Sequence, residues 1–180
     1  MAAVLPVVAE ARTGRPIRKR IFCPNYSFLC EYHGYSITKL LNSFLIAHPS
    51  VSVEVFQGSD VTQENLSSLL ECKHGDLPEI MIMSTQAIHN LIMCYPTRIP
   101  SWVKSGWLVD IVSDEMHTVH SELKFRNSFL SLSDLRKHGI PITSMSGSMN
   151  KLLAGHLCKL LGVTDDIKMN DMDFIGESDP

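Results

Sequence analysis

Apolar and polar positions alternate along the chain with two different periods, which predict strands and helices in turn. VSVEVF (51–56) alternates strictly and places its valines on one face, as in a half-buried strand. EIMIMS (79–84) is apolar on both faces, as expected for an inner strand of a sheet that is covered on both sides. Shorter apolar runs at 107–112 and in IPITSM (140–145) predict two further strands.

Apolar residues at helical spacing predict helices between these strands. Ser36 is predicted to cap a helix over ITKLLNSFLIAH, and Thr85 to cap another over TQAIHNLIMCY. Three more helices, each ended by a glycine, are predicted in VTQENLSSLLECKHG (61–75), SLSDLRKHG (131–139) and the segment 148–162. RIFCPNYSFLCEYHGY (20–35) mixes a short apolar run with turn formers, and it predicts an edge strand followed by a loop.

The regular alternation of strands and helices predicts the fold class. Such sequences build β-α-β units, in which the strands pair in parallel and the helices cover the sheet. We therefore predict an α/β layered sandwich with a largely parallel central sheet and helices on both faces. The 180 residues are enough for one domain with its own core.

Composition places the chain among ordinary globular proteins. Apolar residues make up 44% and charged residues 19% of the sequence, which excludes a disordered body. The five cysteines are scattered and contain no CxxC pair, which argues against a disulfide framework or a zinc ribbon. The N-terminal segment has neither the order of a secretory signal nor the length of a membrane span. We expect an intracellular protein, cytoplasmic or nuclear, with no membrane partner.

Charge is distributed unevenly between the two ends, although the net charge is only −3. Basic residues crowd 1–20 and acidic residues crowd 165–180, so we interpret these ranges as a solvated basic arm and an acidic tail around a single domain at 21–164. A basic cluster is also typical of a nuclear-import signal or a phosphate contact. The body has few arginines, and its aromatic residues are not interleaved with basic ones, which argues against a nucleic-acid partner.

Four segments in order resemble the first lobe of bacterial extracellular solute-binding proteins of the maltose-binding type. They are HPSVSVEVFQGSD, GDLPEIMIMST, IPSWVKSGWLVDI and GIPITSMSGSMNKLLAGHLCKLLGV, and the resemblance covers about residues 36 to 165. It implies the fold of one such lobe, with ligand contacts near Ser84, Thr85 and Trp107. Because the chain shows neither the export signal nor the second lobe of that family, the resemblance implies a shared fold rather than solute capture.

Two positions are candidates for binding a small ligand. Ser84 and Thr85 follow a predicted inner strand, at the end where open α/β sheets bind their ligands. Ser146, Gly147 and Ser148 form a turn at the start of a helix, where free backbone N–H groups and hydroxyls can hold a phosphate or carboxylate. An ordinary helix cap has the same composition. An anion pocket between these two positions is therefore one of two interpretations.

Metal and thiol chemistry have candidates of lower specificity. DEMHTVH spaces His117 and His120 to share a helix face, but two imidazoles are too few for a zinc site, and a polar surface helix explains the same pattern. Cys23, Cys30 and His33 have the residue types of a thiol nucleophile and its base, although free cysteines are mostly buried and inert. No cofactor is predicted, because the common nucleotide-binding, hydrolase and zincin motifs are missing from the sequence.

The segment YPTRIPSWVKSGW is typical of a protein-binding surface. Two prolines stiffen it, and Tyr95, Arg98, Trp102 and Trp107 are residue types enriched at binding hot spots. The alternative is that the tryptophans fill the core, which we expect for Trp107, whereas Trp102 is expected to be exposed. We therefore predict a non-catalytic regulatory or accessory protein, of host or viral origin, that binds a protein partner. The alternatives are a domain that binds a small ligand or anion, and a thiol- or metal-dependent enzyme.

Overall fold

The computed structural model describes residues 3–24, 26, 28–44, 51–56, 78–118, 130–146 and 151–162. The strands in these ranges are β1 (Lys19–Cys23), β2 (Val53–Phe56), β3 (Ile80–Met83), β4 (Leu108–Ser113) and β5 (Ile142–Ser144). The α-helices are α1 (Val4–Arg12), α2 (Leu29–Phe44), α3 (Thr85–Cys94), α4 (Arg98–Lys104), α5 (Leu130–Lys137) and α6 (Lys151–Leu160). A 3₁₀ turn, Met116–Thr118, follows β4. The helix predicted at 61–75 lies outside the described residues.

The five strands form one sheet in the order β2-β3-β1-β4-β5, and every neighbouring pair is parallel. The register places Ile21 of β1 opposite Met81 of β3 on one side and opposite Ile111 of β4 on the other. Helices alternate with these strands along the chain and lie on both faces of the sheet. The predicted α/β layered sandwich with a parallel sheet is therefore confirmed.

Two apolar layers separate the sheet from its helices. On one face, α1 and α2 pack on a cluster that includes Phe22, Ile80, Ile82 and Val112. On the other face, α3, α4, α5 and α6 pack on a larger cluster that includes Ile21, Met81, Met83 and Ile111. Alternate residues of one strand enter opposite clusters, because successive side chains of a strand point to opposite faces.

The strand β1 lies at the centre of the sheet, so the prediction of an edge strand here is wrong. All five of its residues are buried, including Lys19 and Arg20, which a sequence pattern assigns to the surface. Each of the two cations is paired with an acid: Nζ of Lys19 lies 2.8 Å from Oε1 of Glu79, and Arg20 is paired as described next. The hydrophobic pattern of a strand cannot show that one of its cations is buried, because the acid that pairs with the cation lies elsewhere in the sequence.

Arg20 belongs to a buried ionic network that consists of Glu10, Arg18, Arg20 and Asp110. Its Nη1 and Nη2 donate to the Glu10 carboxylate at 3.0 and 2.9 Å, and its Nε donates to Oδ2 of Asp110 at 3.3 Å. Arg18 donates to the same Glu10 carboxylate through its backbone N–H and its Nε. The network ties α1 to β1 and β4. The solvation expected for the basic arm is therefore wrong for Arg20, which is only 2% exposed.

The network also sets the ionisation of its two acids. Burial alone would raise the pKa of Glu10, but hydrogen bonds from Arg20 and Arg18 outweigh it and lower that pKa to about 2. Burial raises the pKa of Asp110 above its usual value, and the attraction of Arg20 offsets this only in part. Glu10 is therefore the principal counter-ion of Arg20.

Helix α2 begins at Leu29, so the predicted loop before Ser36 and the predicted cap at Ser36 are both wrong. Its buried residues recur every three or four positions and are Cys30, Gly34, Ile37 and Leu41. Gly34 lets the helix lie close to β2, because a Cβ atom at this position would lie 2.6 Å from Cγ2 of Val55. The buried face of α2 therefore begins within the stretch that resembles a loop in the sequence.

The division of the chain into 1–20, 21–164 and 165–180 stays a prediction. Helix α1 and the first two residues of β1 fall in the first range and pack with the rest of the sheet. The third range lies outside the described residues. Among the helices that the structure describes, none combines the length and the apolar character needed to cross a membrane.

Candidate functional site

The carboxyl ends of the five parallel strands meet at one side of the sheet, which we call the carboxyl edge. Its described residues are Pro24, Tyr26, Ser84, Thr85, Asp114, Glu115, His117, Met145 and Ser146. Hydrogen bonds join the strand ends: the N–H of Asp114 donates to the carbonyl of Cys23 at 3.0 Å, and that of Met145 to the carbonyl of Ser113 at 2.8 Å. Open α/β sheets bind their ligands at this edge, so it is the first candidate for a functional site.

Helix α3 starts directly at the carboxyl edge. The Oγ of Ser84 accepts a hydrogen bond from the N–H of Ala87 at 3.1 Å, so Ser84 is the N-cap, and the prediction that Thr85 caps this helix is wrong. Thr85 is 5% exposed and is the first residue of the helix. The aligned peptide dipoles of the helix give this end a partial positive charge.

Two carboxylates follow β4 at the same edge. The N–H of Glu115 donates to Oδ1 of Asp114 at 3.0 Å, and Oε2 of Glu115 lies 2.9 Å from Nδ1 of His117. Glu115 has a φ of 50°, in the left-handed region that a residue other than glycine rarely adopts. Backbone strain of this kind tends to occur where function requires a particular side-chain position. The sequence pattern drew attention to the histidines, with Asp114 only as their neighbour, and Glu115 was not singled out, although an apolar strand followed by two carboxylates is itself a signal.

His33 brings α2 to the end of β4. Its Nε2 lies 3.7 Å from Oδ2 of Asp114, and its ring centroid lies 5.1 Å from that of Phe22. Burial lowers the pKa of His33, and the negative charge of Asp114 opposes this effect without cancelling it. His33 is therefore neutral at pH 7, and its contact with Asp114 is not an ion pair at that pH.

The two predicted ligand positions lie on the same edge but not beside each other. Ser84 follows β3 and Ser146 follows β5, and with β1 and β4 between them three strand spacings give a separation of roughly 14 Å. The Oγ of Ser146 lies 2.7 Å from Nδ1 of His117, in a hydrogen bond whose direction depends on the tautomer. Gly147 and Ser148 lie outside the described residues, so ligand binding at this turn stays a prediction.

The metal candidates are only partly described. His117 lies in the 3₁₀ turn, whose first residue, Met116, is 1% exposed, and His120 lies outside the described residues. In place of the predicted polar surface helix, the described residues Met116–Thr118 form a short 3₁₀ turn, and Met116 anchors this turn in the core. Within the described ranges, no group of three or more His, Cys, Asp or Glu side chains is placed to hold a metal ion.

The cysteine candidates are buried and protonated. Burial raises the pKa of Cys23 above its usual value and that of Cys30 to about 11. A thiol nucleophile needs the opposite shift, towards a thiolate at neutral pH. The described geometry therefore offers no support for thiol catalysis at these residues.

The segment predicted to bind a protein partner contributes its largest side chain to the core. Trp102 is 4% exposed and packs in the apolar cluster under α3 and α4, so its expected exposure is wrong. Trp107 and Tyr95 are partly buried against the same cluster, and Arg98 is exposed. A binding role for these four residues stays a prediction from the sequence.

A row of exposed aromatic side chains starts directly before α2 and continues along it, and the sequence pattern missed it. Phe28, Tyr32 and Tyr35 are 71%, 65% and 69% exposed, and we call them the aromatic stripe. Tyr32 and Tyr35 are three residues apart and lie on one side of the helix, opposite its buried face, and Phe28 directly precedes the first residue of the helix. The turn-forming residues of this stretch predict a loop, and a loop has no helical faces on which the rings would line up.

Comparisons with known proteins identify similar structures but no similar sequence. No protein-family model matches the chain, and no curated protein matches it. Three crystal structures of the DUF1998 helicase MrfA are similar. The structure bound to DNA matches with a TM-score of 0.60 and 15% sequence identity. The structure bound to DNA and AMPPNP matches with a TM-score of 0.58 and 16% identity, and a third structure matches with a TM-score of 0.56 and 17% identity. They cover 84–86% of this chain, whereas the chain spans only 21–23% of the length of MrfA. At this identity the likeness shows the fold alone.

These comparisons correct three predictions. The resemblance to solute-binding proteins is wrong, because the similar structures belong to a helicase, and the matched motifs occur generally in α/β folds. The prediction of a regulatory protein that acts through a protein partner is also wrong, as is the argument against nucleic acid, because two of the similar structures were solved bound to DNA. A count of arginines is a weak criterion, because proteins can also hold a nucleic acid with backbone N–H groups and aromatic rings.

Proposed function

We propose that this chain is a nucleic-acid-binding α/β domain of a helicase-like protein, and that it contacts DNA with its carboxyl edge. The observation that carries the proposal is the likeness of 86% of the chain to part of a helicase solved bound to DNA. This likeness concerns the fold, so the contact itself has to be argued from the described residues.

Two helix N-termini lie at the carboxyl edge, and each carries the partial positive charge that attracts phosphate. Helix α2 follows β1 and helix α3 follows β3, and these two strands are neighbours in the sheet. Backbone N–H groups and helix N-termini are among the usual partners of DNA phosphates, because they combine free donors with a partial positive charge. A phosphate backbone that runs along the edge can meet both helix ends in succession.

The basic residues near the N-terminus do not belong to this surface. Arg18 and Arg20 are engaged with Glu10, and they precede or open β1 at the opposite, amino side of the sheet. Arg15 lies on that side as well, in the connection between α1 and β1. Binding is therefore expected to depend on helix ends and individual side chains rather than on a basic arm.

A single added charge tests the contact. Gln86 is an exposed residue in the first turn of α3, and Gln86→Glu places a negative charge where a phosphate is expected. Two unit charges 4 Å apart repel by about 1 kcal/mol in water, so we expect affinity for DNA to fall about fivefold. The helix itself should not suffer, because an acid in the first turn favours the helix dipole. Fluorescence anisotropy with labelled single-stranded and duplex oligonucleotides measures the affinity.

Arg15→Gln is the matched control, because it changes the net charge by the same amount at the opposite side of the sheet. Its affinity should stay within about twofold of the unmodified chain, since distant exposed charges are screened at physiological salt. Equal losses in both variants would indicate a general charge effect and contradict a contact at the carboxyl edge. An absence of binding to either oligonucleotide at about 100 µM protein, the weak end of non-specific affinities, would contradict the proposal as a whole.

Asp114 and Glu115 favour a second candidate function, the binding of a nucleoside triphosphate with Mg²⁺. One of the similar helicase structures was solved with AMPPNP as well as DNA. Mg²⁺ in nucleotide sites is usually held by one or two carboxylates and the substrate phosphates, and in P-loop NTPases one of these carboxylates is an aspartate. The two acids follow an apolar strand at the carboxyl edge and fit this role. The sequence contains no G-x-x-x-x-G-K-[ST] phosphate loop, so we expect weak nucleotide binding by this chain alone.

A titration with a fluorescent ATP analogue, with and without Mg²⁺, tests this candidate. Binding should require Mg²⁺ and should be lost in Asp114→Asn, since a neutral amide is a poor ligand for a hard cation. Asp134→Asn removes an exposed acid of α5 and serves as the control. Binding that persists in EDTA, or in Asp114→Asn, would rule out a role for this carboxylate.

A further inference from the structure

We infer that the aromatic stripe, Phe28, Tyr32 and Tyr35, stacks against unpaired bases of single-stranded nucleic acid. This inference rests on the proposed function, because the stripe begins at the carboxyl edge, where α2 follows β1. The domain would then prefer single-stranded over duplex nucleic acid, and the three rings would be the side chains responsible for that preference.

The stripe offers ring faces to solvent rather than a continuous apolar patch. Its three rings are each at least 65% exposed, and the exposed residues beside them on α2 are polar: Glu31, Thr38 and Asn42. A protein-binding helix face usually surrounds its aromatic residues with aliphatic ones, which exclude water from the contact. Exposed rings separated by polar residues instead suit a flat partner that stacks on a ring, as a nucleobase does. The Tyr32 ring also makes a T-shaped contact with His33, with centroids 5.6 Å apart.

The first ring is already part of a stack. Tyr26 and Phe28 have ring centroids 5.4 Å apart with an interplanar angle of 23°, so the stripe continues from the carboxyl edge onto α2. This offset arrangement is the geometry that two π systems prefer. Because Phe28 remains 71% exposed, a further ring can be added to the stack.

The spacing of the rings favours a single strand over a duplex. Residues three or four apart on a helix have side chains about 5–6 Å apart, whereas neighbouring bases of one duplex strand are about 3.4 Å apart. Bases inside a duplex are also covered on both faces. Only a strand whose bases have separated can place one base on each ring of the stripe.

Lys39 extends the same side of α2 beyond Tyr35. It lies four residues further along, and it is exposed. Its ammonium group is therefore placed to meet a phosphate of a strand whose bases lie on the rings. A row of rings that ends in a cation complements the alternation of bases and phosphates in a single strand.

The test compares single-stranded oligo(dT) with a duplex hairpin of equal length, using fluorescence anisotropy and the complete 180-residue chain. In the double variant Tyr32→Ala with Tyr35→Ala, we expect affinity for the single strand to fall at least fivefold, and up to about a hundredfold for each ring that stacks. Affinity for the hairpin should stay within twofold. Tyr32→Phe with Tyr35→Phe keeps both rings and should bind the single strand like the unmodified chain.

Two further variants separate stacking from other contributions. Tyr32→Leu with Tyr35→Leu keeps apolar area but removes the rings, and it should lose as much affinity as the alanine variant. Met93→Ala with Leu152→Ala removes side chains that are 68% and 73% exposed elsewhere on the molecule, and it should change nothing. Lys39→Gln should reduce the steepness of log affinity against log salt by about 0.7, the slope expected for one phosphate contact on a single strand.

The outcomes distinguish this inference from the proposed function. Full single-strand affinity in the alanine variant, with a melting temperature like that of the unmodified chain, would overturn the stacking role while leaving DNA binding intact. Equal affinity of the leucine and tyrosine proteins would also overturn it, because it would indicate a general apolar contact. If no oligonucleotide binds at all, the proposed function fails and the inference fails with it.

Discussion

Glu10→Gln removes one negative charge from the buried ionic network under α1 and leaves the shape of the side chain nearly unchanged. The carboxylate accepts hydrogen bonds from Nη1 and Nη2 of Arg20 and from the backbone and Nε of Arg18. An amide can accept at only one of its two positions, so some of these donors lose their partner. Arg20, at 2% exposure, is left with Asp110 as its remaining counter-ion.

The pKa of Glu10 gives the size of the effect. It falls from 4.5 to about 2 in the folded state, and because one pKa unit corresponds to about 1.4 kcal/mol, folding favours the ionised carboxylate by roughly 3 kcal/mol. This agrees with the cost of about 3–5 kcal/mol for removing one partner of a buried ion pair. For a chain of this length, a loss of that size lowers the melting temperature by roughly 6–12 °C.

The same shift predicts a dependence on pH. Since the folded pKa is lowered, the stabilisation is fully present above the unfolded pKa of about 4.5 and is lost as the pH falls towards 2. The stability difference between the unmodified chain and Glu10→Gln should therefore be largest at pH 7 and should shrink between pH 4.5 and 2. Urea unfolding at a series of pH values measures this difference, with tryptophan fluorescence as the signal.

Asp134→Asn is the control for the network. Asp134 pairs with Lys137 at 2.6 Å, but the two side chains are 49% and 71% exposed, so its loss should cost at most about 0.5 kcal/mol. A free energy of unfolding for Glu10→Gln that lies within 1 kcal/mol of that of the unmodified chain at pH 7 would refute the predicted role of the network. This role is equally refuted if the difference between the two proteins does not change from pH 5 to pH 2.5.

Three further predictions concern packing and capping. Gly34→Ala should lower the free energy of unfolding by about 1–3 kcal/mol, because the added Cβ would lie 2.6 Å from Val55. Gly155→Ala, whose Cβ would have nothing within 4 Å, should instead raise it by about 0.5–1 kcal/mol. Equal effects of the two substitutions in urea unfolding would refute the close approach at Gly34. Trp102→Ala should cost about 3–5 kcal/mol, because the side chain is 4% exposed; an unchanged melting temperature would place this tryptophan at the surface. Ser84→Ala should cost about 0.5–2 kcal/mol through loss of the N-cap, and Ser84→Asp, which can also cap, should recover most of it in the same assay.

The parallel sheet could be predicted because its strands carry their own signal. The runs at 51–56 and 79–84 have the period and burial of strands, and the structure places β2 and β3 inside them. The centre of the sheet could not be predicted, because Lys19 and Arg20 look like surface residues in β1. Their partners are Glu79 and Glu10, and an ion pair between distant parts of the chain has no local pattern.

The candidate site could be predicted only where it coincides with the end of a recognised strand. Ser84 was located correctly because the run before it is plainly a strand. Tyr32 and Tyr35 were missed because the proline, asparagine, serine and glycine residues near them favour turns and loops when taken one at a time. The buried side of the same helix overrides those preferences through packing on the sheet, and packing can be judged only when the fold is known.

The position of β1 has a consequence for how the chain folds. Lys19 pairs with a residue 60 positions later, and Arg20 with a residue 90 positions later. The ribosome therefore releases the central strand long before β3 and β4, between which it lies. Because loop closure over such distances slows folding, and an unpaired apolar strand invites aggregation, we expect folding after synthesis to be slow and to benefit from chaperones. Helix α1 is synthesised directly before β1 and packs on the sheet face that contains Phe22. It can therefore cover one face of β1 until β3 and β4 have been synthesised.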